Sequence, residues 1–159
     1  MNISEYIDMK GRLTLQKRNA KDEIVAEMTA DNNIVLSGRD LVAKLFINEA
    51  IAPISHIAIG TGTDPVNPAQ AKLQSELFRK AINPIDPSKN LATTGDNKKK
   101  VTITAELDFG EANGALTEAG LFNNADQNDD KGVMYNRVVF LPINKTSDFK
   151  LTLIWEILF

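Results

Sequence analysis

The chain has 159 residues, a net charge of −3, 43% hydrophobic and 25% charged residues, a single histidine and no cysteine. That length and balance predict one globular domain able to bury its own core. The missing cysteine excludes disulfides and thiolate metal sites. There is no apolar run of about 18 residues that would cross a membrane as a helix. The start, Met1 to Tyr6, lacks the basic and apolar regions of a signal peptide, so synthesis in the cytoplasm without secretion by a signal peptide is expected. The negative net charge argues against nucleic acid as a partner, and the one basic cluster, Lys98 to Lys100, is expected in a solvated turn.

Gly11 to Lys17 alternates polar and apolar residues, meets the polar turn Arg18 to Glu23, and is followed by the strand-forming run Ile24 to Thr29. This predicts an opening β-hairpin. Ser37 with Asp40 three residues on reads as a helix N-cap, and Leu41, Val42, Leu45 and Phe46 form an apolar stripe. A helix over Gly38 to Glu49, bounded by Pro53, is expected.

Ile54 to Gly60 reads as a strand ending in the glycine turn Gly60-Thr61-Gly62-Thr63. Asn67-Pro68 then offers a helix start, with Leu73, Leu77 and Ala81 on one side of a short helix. Asn83 to Lys100, broken by Pro84, Pro87 and Gly95, is expected to be an exposed loop with a short extended piece.

Val101, Ile103, Ala105, Leu107 and Phe109 alternate with polar residues, giving a half-buried strand. Strands over Ala115 to Asn123 and Val133 to Leu141 follow, the latter stopping at Pro142. In the last strand Leu151, Leu153, Trp155, Ile157 and Phe159 share one face, and Ile154 and Leu158 weight the other, as if covered on both sides. The expected fold is mainly β, a single β-sandwich-like domain of about seven strands with one helix after the N-terminal hairpin. Residues 1–10 are expected to form an N-terminal arm and 11–159 the β-rich domain.

Little chemistry is visible. His56 is the sole histidine, which excludes His-based dyads and multi-histidine metal sites, and it sits among apolar residues as a structural imidazole. The Gly60 to Thr63 loop has no Gly-Lys-Ser/Thr ending, so it reads as a tight turn and not a phosphate loop. Asp126, Asn128 and Asp130 imitate the start of a calcium loop, but Lys131 stands in place of its glycine and Arg137 in place of its glutamate. Glu111 and Glu118 could be offered as a hydrolytic carboxylate pair, yet nothing supplies an aromatic platform around them. No catalytic, cofactor or metal site is expected.

The order of the pieces is more telling. Ile57 to Thr63 precedes Leu73-Gln74-Ser75-Glu76-Leu77-Phe78-Arg79, then Glu118-Ala119-Gly120-Leu121-Phe122-Asn123, Gly132-Val133-Met134 and Pro142 to Thr146. This progression resembles small structural proteins of tailed bacteriophages and the N-terminal attachment domain of tail-collar fibre proteins. It covers about two-thirds of the chain, Ile54 to Phe159. The resemblance implies a virion component of the tail, baseplate or neck, or of a contractile injection system. Such a component is present in several copies and docks onto copies of itself and onto other tail proteins as a symmetric homo-oligomer. The chain ends at Phe159 without the shaft of a fibre, which favours a connector, adaptor or baseplate part over a receptor-binding tip.

Glu76, Arg79 and Glu118 are charges among apolar neighbours, and Arg79 is expected to pair with Glu118 or Glu76. Assembly contacts are expected on exposed loops and the arm: Ile3, Tyr6, Ile7, Asp64, Asn67, Lys89, Asn90, Asp126 and Asp129. The rival classes are a glycan-binding β-sandwich module and a small hydrolase.

Overall fold

A computed structural model describes residues 9–159. The protein is mainly β: among the described residues nine antiparallel strands form one strongly curled sheet, with a helix after the opening hairpin. Strands β1 (Lys10–Arg18) and β2 (Ile24–Ile34) make the hairpin. Asn19 Oδ1 accepts the amides of Lys21 and Glu23 in its turn, and Asp22 takes the left-handed conformation at φ 63°.

Helix α1 is Leu36–Phe46, not Gly38 to Glu49. Its N-cap is Val35, which makes no side-chain cap. Ser37 instead donates its hydroxyl to Met134 O at 2.6 Å, and Asp40 pairs with Lys44. Asn48, left-handed at φ 56°, ends the helix. The expected stripe is only half used. Leu41 is buried and Val42 packs on the core, but Leu45 and Phe46 are exposed, Phe46 at 87%.

The segment expected as a second helix is largely strand. β3 (His56–Gly60) pairs antiparallel with β4 (Glu76–Ala81), and the Asn67 region is only a turn. Tertiary demand overrides the local pattern: the open edge of β3 needs a partner, and the amides of Gln74 and Ser75 are claimed by Glu118. The polar connection holds the short α2 (Pro87–Asn90) and β5 (Leu91–Thr93).

The remaining strands are β6 (Lys99–Leu107), β7 (Gly114–Phe122), β8 (Met134–Lys145) and β9 (Lys150–Leu158). β8 does not stop at Pro142. Its register against β7 slips between Leu116–Ile143 and Glu118–Val139, so Phe140, Leu141 and Pro142 bulge and the missing proline N–H breaks no ladder bond.

The strand order is β4-β3-β7-β8-β2-β1-β9-β6-β5. The expected count of about seven strands is corrected to nine among the described residues, and they form one sheet because β2 joins both halves, meeting β8 through Asn33 and Ile34. The halves share one core. Leu13, Leu15, Ile103, Leu153 and Trp155 come from one half, and Ile59, Leu116, Leu121 and Val138 from the other. On β9, Leu151, Leu153, Trp155 and Ile157 are buried as the alternation requires, while Ile154 and Leu158 stay half-exposed on the outer face.

Candidate functional site

The densest polar arrangement lies where β3, β4, β7 and β8 meet. Glu118, on β7, is fully buried. Its Oε1 accepts from Gly62 N at 3.0 Å and Ser75 N at 2.6 Å, and its Oε2 from Gln74 N at 3.0 Å and Arg137 Nε at 2.8 Å. Four donors around one carboxylate compensate its desolvation. Arg137, on β8 and equally buried, also donates through Nη1 to Asp64 O and Gln70 Oε1. Gln74 completes the knot: its Oε1 accepts the amides of Thr63 and Asp64, and its Nε2 donates to Asp64 Oδ2.

The glycines of the Gly60 to Thr63 loop are explained here. A Cβ on Gly60 would lie 2.2 Å from Ser75 O, and one on Gly62 would lie 2.5 Å from both Gln74 Cβ and Glu118 Oε1. Close approach to the carboxylate and its neighbours, beyond the turn alone, demands glycine.

A second cluster sits on β4. The extra residue Leu77 in the β3–β4 register brings Glu76 and Arg79 to one face, although three residues apart on a regular strand they would oppose. Arg79 makes a two-pronged pair with Glu76, both contacts at 2.8 Å. It also donates to Asn124 O and Oδ1 and stacks 3.9 Å above the Phe122 ring. The expected partnership is thus resolved: Arg79 holds Glu76, while Glu118 holds Arg137. Burial, and then the Arg79 charge, press the His56 pKa below its usual value. Ser55 Oγ is hydrogen-bonded to His56 Nδ1 at 2.8 Å.

Lys145 caps the turn between β6 and β7. Its ammonium donates to Asp108 O, Phe109 O and Asn113 Oδ1, and burial pushes its pKa down. Glu111 is held by Lys80 at 2.7 Å, which lowers its pKa. Glu111 and Glu118 therefore serve separate partners. A groove of about 790 Å³ opens beside β1, β2 and α1, and two ion pairs line it, Arg12–Asp31 and Lys100–Glu156.

The loop positions divide. Asp64 is tied into the Glu118 knot, and Asn90 is an anchor, donating to Thr102 O and accepting from Asp86 N. Asn67, Asp126 and Asp129 are exposed and accept turn amides, from Ala69, Asn128 and Lys131. Lys89 is exposed beside Asp86. Ile3, Tyr6 and Ile7 lie outside the described residues. Among the described residues no three acidic or imidazole groups gather as metal ligands.

Sequence reasoning missed Arg137, Gln74 and Lys145. The signal for the first was present: Asn136-Arg137 interrupts an otherwise apolar run from Val133 to Leu141, and a charge inside a buried strand requires a partner. Compared with known proteins, the chain matches no family model, no curated protein and no solved structure.

Proposed function

We propose that the chain is a non-enzymatic structural subunit of a phage tail or phage-tail-like particle, at the baseplate, neck or fibre attachment, acting through protein–protein contacts in several copies. One observation carries this reading. Three of the segments on which the resemblance rests, Gly60 to Thr63, Leu73 to Arg79 and Glu118 to Asn123, meet at the buried Glu118 carboxylate, which binds the backbone of the other two. Their ordered spacing thus has an architectural reason. The ionisable groups of the knot hold the protein's own chain, which suits a rigid building part. We also read the curled sheet as sandwich-like, its two halves facing across a common core.

The test is to express a tagged copy in a host that produces such particles, purify the tails and quantify the chain by mass spectrometry. Co-purification at a fixed ratio to the tube and sheath proteins is expected. Intact tails that exclude the chain would overturn the reading.

A further inference from the structure

We infer that the open edge of β2 is a docking strand for a second copy of this chain, through antiparallel β2–β2 pairing about a two-fold axis at Met28. The inference adds a contact surface to the assembly reading above and rests on that reading only for the role of the contact.

β2 lies inside the strand order, yet it meets β8 only at Asn33 and Ile34 before the two strands diverge. Val35 N donates to Tyr135 O, so Val35 and Asn33 turn their backbone groups toward β8. By alternation Asp31, Thr29 and Glu27 present theirs on the same side. Among the described residues nothing hydrogen-bonds to them there. An unpaired row of N–H and C=O groups selects an extended strand as its partner.

The other described edges are protected. β8 bulges through Phe140, Leu141 and Pro142, and β4 carries the extra residue Leu77. β5 has three residues, and beyond it the edge of β6 is covered by Asn83 and Asn90, bonded to Thr104 and Thr102. β2 is regular against β1 from Ala26 to Asn32 and contains no proline.

Charge, space and the hairpin bulge select the register, since an axis at Ala26 would draw the extra residue Val25 into the pairing beside Glu27. With the axis at Met28, each Glu27 faces Thr29 of the other copy, four backbone hydrogen bonds form, and the two Met28 side chains meet on the core face. An axis at Glu27 sets Glu27 against Glu27, and one at Thr29 sets Glu27 against Asp31 twice, both repulsive. An axis at Ala30 runs the incoming strand into β8 beside Asn33.

Thr29 is exposed, so a charge can be introduced there without disturbing the core. Sedimentation and light scattering from micromolar to millimolar protein should find a dimer. Thr29→Glu, which opposes Glu27 twice, should weaken it at least tenfold, Thr29→Lys should strengthen it several-fold, and Glu27→Lys added to Thr29→Glu should restore it. Circular dichroism melts confirm that each variant is folded. A wild-type protein monomeric at millimolar concentration, or a self-association that ignores these charges, overturns the β2 contact. A chain that is present in purified tails but monomeric in solution removes this contact and leaves the subunit reading standing. A β2 dimer of a chain excluded from tails does the reverse.

Discussion

Glu118 and Arg137 face each other across β7 and β8, Oε2 to Nε 2.8 Å apart, with neither side chain exposed to solvent. A buried pair of this kind is costly to break from one side, because the remaining charge loses its compensation. Arg137→Met is expected to destabilise the fold by roughly 3–5 kcal/mol in urea unfolding. Adding Glu118→Gln to it should cost less than the sum of the two single changes. Strictly additive losses would show that the two groups do not act together.

Two glycines of the Gly60 to Thr63 loop should be intolerant for packing reasons. Gly60→Ala and Gly62→Ala each place a methyl group inside contact distance of the Glu118 knot, and a loss of about 1–3 kcal/mol is expected. Gly95 and Gly110 have nothing within 4 Å of an added Cβ. Their alanine variants should unfold within about 0.5 kcal/mol of the parent.

His56 should titrate below the ordinary imidazole value of 6.5, since burial and the Arg79 charge both disfavour imidazolium. An NMR titration of its ring protons reads this directly, and Arg79→Met should move the midpoint upward. The sign for stability follows. A depressed folded pKa means that the unfolded chain binds the proton more readily, so this contribution is present above pH 6.5 and is lost as pH falls through the folded value. His56→Gln should flatten that part of the stability profile.

The helix offers a contrast between two apolar residues that look alike in the sequence. Leu41→Ala should cost about 2–5 kcal/mol because it empties a buried site. Phe46→Ser should change the unfolding free energy by no more than about 0.5 kcal/mol, because the ring is 87% exposed. A large loss at Phe46 in dilute protein would mean that the ring is covered in solution.

The local alphabet of the chain was sufficient for the hairpin, for the helix that follows it and for the four strands after Lys98. In each, side-chain periodicity and turn residues report a choice made within a few neighbours, as the alternation of Val101 to Leu107 and Leu151 to Ile157 demonstrates. Partnerships were another matter. Leu73 to Ala81 carries a helical spacing and is largely strand, because the edge of β3 and the carboxylate of Glu118 claim its backbone. Arg79 and Glu118 each needed an opposite charge, but only the β3–β4 bulge and the β7–β8 register assign Glu76 to one and Arg137 to the other. Burial of Leu41 and exposure of Phe46 depend likewise on where β8 passes beneath the helix, a relation between residues about a hundred positions apart.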